Sequence, residues 1–441
     1  MHGVISRNQS APTYRAQVNV RALANDLRQA LKGEVHFDDG SRALYATDAS
    51  NYRQTPIGVV LPRDTDDVAQ TIAICRKYGA PILARGCGTS LAGQCCNVAV
   101  ILDFSRHLNQ KIEIDPERRL ARVHPGVVLD DLRAAAERHH LTFGPDPATH
   151  DRCTLGGMLG NNSCGVHSVM AGKTSDNTEE LEILTYDGLR LRVGPTSEEE
   201  LERIIGEGGR RGEIYAGLRD LRDRYATQIR QRFPDIPRRV SGYNLEALLP
   251  EHGFHLARAL VGTENTCVTI LEATLRLVQS PPVRTLLVLG YENAFIAADH
   301  VPEIMAHHPT GLEGFDDRLV ENVVSKGERV AGVRLLPEGG GWLMVEFGGD
   351  TIKDANDKAH RLMDQLRKDR DAPHMKLLDD PAQTHQIWLV RESGLGASAR
   401  VPGHRDTWPG WEDSAVAPEQ IGQYLRELRK LTDRYGYENS L

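Results

Sequence analysis

The chain has 441 residues, a formal net charge of −8 and 40% hydrophobic residues, enough for two or three globular domains. The acidic balance argues against general nucleic-acid binding, and no apolar run approaches the roughly 18 residues of a membrane span. Seven cysteines without a C-x-x-C pair argue against structural zinc or an iron–sulfur cluster within these residues, and point to a reducing cytoplasm.

The N-terminal stretch MHGVISRNQSAPTYRAQ lacks the apolar core of a secretory signal and reads as a tail before a first helix near 17–32. Val59-Val60-Leu61, stopped by Pro62, reads as a strand. Thr65 opens a helix with Val68, Ile72 and Cys75 on one face and Gly79 just past its end. Pro81–Ala84 reads as a short buried strand, followed by the glycine-rich loop RGCGTSLAGQ (85–94) and a strand at 98–103. Ile112–Ile114 and Leu120–His124 form a hairpin around Asp115-Pro116, and 128–140 a helix with Leu129, Leu132 and Ala136 inward. Residues 141–180 read as a long irregular stretch, which in a compact protein is usually functional. Leu181–Tyr186 and Leu189–Val193 bracket the turn Asp187-Gly188, and a charged helical region spans 197–232. Leu256–Val261 and Val268–Val278 read as strands around Gly262-Thr263-Glu264.

Ser280-Pro281-Pro282 marks a boundary, after which the rhythm changes. Strands at 284–290 and 341–347 precede helices at 293–307 and 353–370, with further helices at 381–394 and 418–434. The expected class is α+β, with an antiparallel sheet in the C-terminal part. The expected division is a tail and helix (1–40), a first domain (41–280) and a second (281–441).

The loop at 85–94 sets Gly86, Gly88 and Gly93 among Thr89, Ser90 and Ala92. Successive backbone N–H groups in such a loop form a concave anion site. A Walker loop would end in Gly-Lys-Ser/Thr, and there is no lysine; a G-x-G-x-x-G fingerprint fits Gly86 and Gly88 but meets Leu91. The pattern therefore predicts phosphate binding outside those two folds. Cys87, Cys95, Cys96 and Cys164 lie in glycine-rich segments and read as small packing residues.

Four segments stand together: RGCGTSLAGQ (85–94), GPDP (144–147), TLGGMLGNNSCG (154–165) and GTENTCVTILEATLRL (262–277). In this order and spacing they resemble the FAD-linked oxidase family with the vanillyl-alcohol-oxidase, or PCMH-type, flavin fold. Closest in pattern is the branch of D-lactate dehydrogenases, D-2-hydroxyglutarate dehydrogenases and the D-type flavoprotein of glycolate oxidase. The resemblance implies a PCMH-type FAD-binding domain of two α+β subdomains and a C-terminal α/β cap domain, incomplete at its C-terminus. It also implies that Arg85, Gly86, Cys87, Gly88, Thr89 and Ser90 take up the FAD pyrophosphate, with Gly93 allowing close flavin approach. Pro145 and Asp146 would sit at the flavin, and Thr154, Gly156, Gly157, Asn161, Gly165, Gly262, Thr263 and Glu264 would line the cofactor. Relatives usually read G-[ST]-E-G-T-L-G-[IV] in the last segment. Here Asn265 and Cys267-Val268-Thr269 depart from it, as in long members fused to an iron–sulfur module. No histidine occupies 86–93, so non-covalent FAD is expected, and His150 and His167 read as surface or hydrogen-bonded side chains.

Trp388-Leu389-Val390-Arg391-Glu392 resembles the family's W-x-x-R-E segment. Arg391 would grip the carboxylate of a 2-hydroxy acid, or else make an ion pair on its helix. Trp411 and Glu412 stand where relatives carry a substrate-side lysine, and Asp413 reads as a cap. The family's histidine-bearing metal segment, G-H-x-G-D-G-N-x-H, would fall after Leu441, and with it the catalytic residues. Within the chain no metal ligands are expected: the adjacent pairs His139-His140 and His307-His308 read as solvated. A divalent metal and a 4Fe-4S cluster belong only to a longer form. The implied activity is oxidation of a D-2-hydroxy acid to the 2-oxo acid, with electrons passing to an iron–sulfur or quinone acceptor. The alternatives are an FAD-binding module without turnover and an aryl-alcohol or UDP-sugar flavoenzyme. Small-molecule partners and a cytoplasmic place, possible also at a membrane periphery, complete the expectation.

Overall fold

The computed structural model describes residues 18–327, 329–399, 401, 403, 407, 414–438 and 440. Three principal sheets carry the architecture. In the first, β1 (Glu34–His36), β2 (Gly58–Leu61), β3 (Ile82–Arg85) and β4 (Val100–Asp103) lie in the order β1-β2-β4-β3. Strands β2 and β3 run parallel to β4, and β1 is antiparallel to β2. Parallel neighbours need a crossover. From β2 to β3 it is the helix Thr65–Lys77, started by Asp64, whose carboxylate accepts from the Asp66 and Asp67 amides. That helix buries Val68, Ile72 and Cys75 against β2 and β4. From β3 to β4 the crossover is the glycine loop itself.

The second sheet is antiparallel. Strands β5 (Ile112–Asp115) and β6 (Leu120–Val123) form a hairpin, and β7 (Leu141–Thr142) is a short separate strand. Strands β8 (Thr178–Leu184), β9 (Arg190–Val193) and β10 (Thr269–Arg276) complete the order β5-β6-β10-β8-β9, while β11 (Val278–Gln279) pairs with β7. Ala273 stands opposite both Val123 and Leu181. On this face pack Leu155, Met158 and Leu159 of the helix Leu155–Asn161, with Leu129 and Leu132 of the helix Leu129–Glu137.

The third sheet, wholly antiparallel, takes β12 (Val283–Tyr291), β13 (Gly311–Asp316), β14 (Gly341–Gly349) and β15 (His374–Leu378) in the order β13-β14-β12-β15. Side chains alternate across a strand. Leu287, Leu289, Val345 and Phe347 meet the helix Ile352–Leu366, whereas Leu286, Val288 and Met344 meet Leu319 and Ile387 from the opposite helical layer. Every residue of β14 is accordingly buried.

The mixed α+β class and the antiparallel C-terminal sheet agree with the sequence reading. Three local expectations are corrected. Leu256–Leu260 is a helix, not a strand: His255 Nδ1 accepts from the Arg258 amide at 3.4 Å, and a short apolar run does not distinguish a buried strand from a buried helix. Residues 141–180 contain the helices Leu155–Asn161 and Ser168–Ala171, so the stretch is far from structureless. The helix expected over 293–307 is two, Ala294–Asp299 and Val301–Met305, meeting at His300. No helix among the described residues is long and apolar enough to cross a membrane.

Candidate functional site

At the end of β3 the chain turns into the glycine loop, and Arg85 fastens that turn. Its guanidinium donates to the carbonyls of Tyr45 (3.2 Å), Thr47 (2.8 Å) and Cys95 (2.9 Å) and lies over the Tyr45 ring. Arg85 is thus committed to backbone carbonyls and braces the loop. Gly88 sits at φ +70°, where a side chain would be strained and would also meet the Arg85 guanidinium. Gly86 is required for closeness: a Cβ there would stand 2.0 Å from Thr154 Oγ1. The Gly88 carbonyl accepts from the Ala49 amide at 3.0 Å, and Asp48 accepts from the Cys95 amide at 3.2 Å. Among the described residues, the backbone N–H groups of Gly86 through Ser90 have no protein acceptor. A run of unpaired amides in a held loop fits the pyrophosphate of FAD. Cys87 is exposed, and Cys95 Sγ lies 3.2 Å from Ser90 Oγ; all seven cysteines are free.

Two of the other segments, 154–165 and 262–277, meet this loop directly, and 144–147 joins them through Gly165. Thr154, buried, caps the helix Leu155–Asn161 by accepting from the Gly157 amide at 3.3 Å, and the Gly156 amide donates to the Pro125 carbonyl at 2.7 Å. At the far end of that helix, Gly262 N–H donates to the Leu159 carbonyl (2.8 Å) and Glu264 N–H to the Gly160 carbonyl (3.1 Å). Thr263 Oγ1 donates to the Leu260 carbonyl at 2.8 Å. The Glu264 carboxylate accepts from Asn161 Nδ2 at 3.1 Å and also interacts with Gln94 of the glycine loop. Burial raises the pKa of Glu264 against those two hydrogen bonds. Glu264 and Asn265 hold φ of +49° and +59°, left-handed conformations that cost non-glycine residues about 1–2 kcal/mol each. The departure from the usual family pattern at Asn265 coincides with this strained turn.

Pro145 and Asp146 are buried, and Gly165 packs directly against the Asp146 backbone. Asp146 Oδ1 accepts from the His167 amide at 2.9 Å, and its Oδ2 meets His167 Nδ1 at 2.5 Å. His167 Nε2 reaches Glu346 Oε1, on β14, at 2.9 Å. Burial disfavours charge on His167, but Asp146 and Glu346 outweigh it and lift the pKa to about 9. Burial likewise works to raise Glu346, and His167, with Arg284 and Thr310, overcomes it and holds the carboxyl below its usual range. An imidazolium between two buried carboxylates therefore joins the 144–167 region to the third sheet.

His150 makes a second such joint. Its Nδ1 lies 2.8 Å from Asp130 Oδ2 and its Nε2 3.7 Å from Glu392 Oε1. Glu392 and, against burial, Asp130 raise its pKa to about 9. Both histidines are hydrogen-bonded, as expected, but their bridging role and the part of Glu346 had no signal in the sequence. The neighbour of Glu392, Arg391, pairs with Glu313 on β13 at 3.3 Å. Its partner thus comes from another element and not from its own helix. Trp411, Glu412 and Asp413 lie outside the described residues.

Residues 56–194 match the family model of an FAD binding domain, and residues 280–441 that of the C-terminal domain of FAD linked oxidases. The chain is 31% identical over 437 residues to a D-2-hydroxyglutarate dehydrogenase of Pseudomonas putida, covering 97% of this chain and 43% of that protein. It is 27% identical over 425 residues to the glycolate oxidase subunit GlcD of Bacillus subtilis, covering 94% of this chain and 77% of that one. The chain thus spans less than half the length of the D-2-hydroxyglutarate dehydrogenases it matches. In fold it is similar to an alkyldihydroxyacetonephosphate synthase structure, with a TM-score of 0.60 at 16% identity over 84% of this chain and 68% of that one.

Proposed function

The chain belongs to the FAD-linked oxidase family, and from that premise we propose that it oxidises a D-2-hydroxy acid to the 2-oxo acid. The observation that carries the reading is the joining of the four segments, 144–147 through Gly165, to a loop whose amides from Gly86 to Ser90 lack protein acceptors. Bound there without a covalent link, FAD supplies a two-electron acceptor for the substrate's C2 hydrogen and a relay to an iron–sulfur or quinone acceptor.

The chain's own residues divide the remaining work. The amides of Gly86, Cys87, Gly88, Thr89 and Ser90 bind the anionic pyrophosphate, and Arg85 keeps that loop in place. Glu264, anchored to Asn161 and set by the strained turn, ties the loop to the helix that Thr154 caps. His167 holds the Asp146 segment against β14 and so fixes the first two sheets relative to the third. Arg391 is the substrate-side cation in this reading. A hydroxy-acid carboxylate takes a planar two-point contact from its guanidinium in exchange for the Glu313 contact.

The test is anaerobic mixing of the FAD-loaded protein, in a form that carries the family's G-H-x-G-D-G-N-x-H segment, with D-2-hydroxyglutarate, D-lactate, glycolate and a phenolic alcohol. Bleaching of the flavin band by a hydroxy acid, and not by the phenol, is the expected result. Reduction by the phenol alone would assign an aryl-alcohol oxidase on the same fold. Reduction by none of them would leave an FAD-binding module without turnover.

A further inference from the structure

A separate cluster lies on the outer layer of the third sheet. Strand β12 ends at Tyr291, whose ring is 2% exposed and stacks on the imidazole of His300 with centroids 4.8 Å apart. His300 closes the helix Ala294–Asp299 and opens Val301–Met305, so both helices fix its ring. Its Nδ1 meets Glu303 Oε1 one turn further on. A third group arrives from elsewhere in the chain: Asp369 follows the helix Ile352–Leu366, and its amide closes onto the Leu366 carbonyl at 3.2 Å. One imidazole nitrogen of His300 and one carboxylate oxygen from each of Glu303 and Asp369 lie within 4.8 Å of one another.

Two buried polar atoms in this cluster are left over. Neither Tyr291 Oη nor Asp369 Oδ2 has a hydrogen-bond partner among the described residues. The second oxygen of Glu303 accepts from Gln365 Nε2 at 3.2 Å. Among the described residues, neither carboxylate is paired with a lysine or arginine. The Tyr291 ring, stacked on His300, carries its unpartnered hydroxyl within this same buried layer. Two carboxylates and one imidazole thus meet beside the Tyr291 ring, with no lysine or arginine paired to either carboxylate among the described residues.

We propose that His300, Glu303 and Asp369 bind a divalent zinc ion, with the Tyr291 hydroxyl donating to the outer oxygen of a ligating carboxylate. One imidazole nitrogen and two carboxylate oxygens form a mixed donor set suited to zinc, whereas calcium and magnesium prefer oxygens alone. Zinc–ligand bonds near 2 Å put tetrahedral donors roughly 3.3 Å apart. The ion would clamp the turn between two helices to the end of a third. Tyr291 shares its face of the sheet with Leu287 and Leu289, while Glu346 alternates with Val345 and Phe347 and so faces the other side. The zinc site therefore stands on the opposite face of the third sheet from the joint with His167, and its three protein donors leave the fourth tetrahedral position to water. The sequence reading expected no metal ligands because it weighed adjacent histidines; here His300 and Glu303 share one helical turn and Asp369 arrives from a distant segment.

The experiment strips the 441-residue chain with chelator, dialyses it against zinc alone, and measures bound zinc and the midpoint of thermal unfolding. The wild-type chain should take up one equivalent and unfold several degrees higher with zinc than without. Asp369→Asn and His300→Gln should each lose both the equivalent and the zinc-dependent rise, while retaining as much FAD as the wild type. Glu303→Gln serves in place of either variant that fails to fold. Wild-type chain that takes up no zinc, or variants that keep the wild-type equivalent, would overturn the proposal.

Discussion

Gly88 shows how much one position can carry. Its φ of +70° and the Arg85 guanidinium beside it exclude any side chain without local rearrangement. Gly88→Asp adds strain and places a negative charge where a pyrophosphate is to bind. The variant should retain no FAD after gel filtration while keeping the far-ultraviolet spectrum of the wild type; a fully loaded Gly88→Asp protein would remove the loop from the cofactor site. Arg391 has two claims on it, the Glu313 contact at 3.3 Å and the proposed substrate carboxylate. Loss of a charge-assisted contact costs about 1.5–3 kcal/mol, so in a form that carries the G-H-x-G-D-G-N-x-H segment Arg391→Ala should raise the hydroxy-acid concentration for half-reduction roughly ten- to a hundredfold. An unchanged concentration would leave Arg391 to its pair with Glu313. The glycine loop was legible in the sequence because glycines report backbone demands directly. Glu346 was not, because a buried acid on a strand shows its purpose only when its partner, His167, arrives from a distant segment.

At the scale of elements, capping and periodicity decided what could be read. The helix Thr65–Lys77 was visible through the spacing of Val68, Ile72 and Cys75 and through Gly79 past its end, although its cap is Asp64 and not Thr65. Leu256–Leu260 was misread because it is too short to show a period, and its cap is a histidine. The two histidine joints are relations between elements, and they make stability depend on pH. In the folded chain His150 and His167 keep their protons up to about pH 9, against an ordinary value of 6.5. Their stabilisation is complete below pH 6.5 and is lost as the pH rises towards 9. Glu346 has the opposite sign: its pKa is depressed from 4.5, so its contribution is present above that value and lost on further acidification. The urea midpoint should therefore fall between pH 6.5 and 9, and a His150→Gln, His167→Gln double variant should be flat across that window. A wild type with no slope there would refute the joints. His167→Gln alone leaves buried Asp146 without its cation and Glu346 with Arg284 alone, and should cost on the order of 3–5 kcal/mol.

For the molecule as a whole, the sequence conveyed the α+β class and the change of rhythm at Ser280-Pro281-Pro282, just before β12 begins at Val283. It did not convey how the pieces meet, since Thr154 under Gly86 and Glu264 between Asn161 and Gln94 are contacts across long separations. Those contacts, with Gly165 against Asp146, bring the four segments together, and the account rests on their holding a single unlinked FAD. The most direct measurement is to saturate the chain with FAD, remove the excess by gel filtration, and then denature it. One equivalent of flavin should co-elute with the folded chain and leave it completely as free FAD on denaturation. A chain that elutes without flavin, or one whose flavin stays attached after denaturation, would contradict the account.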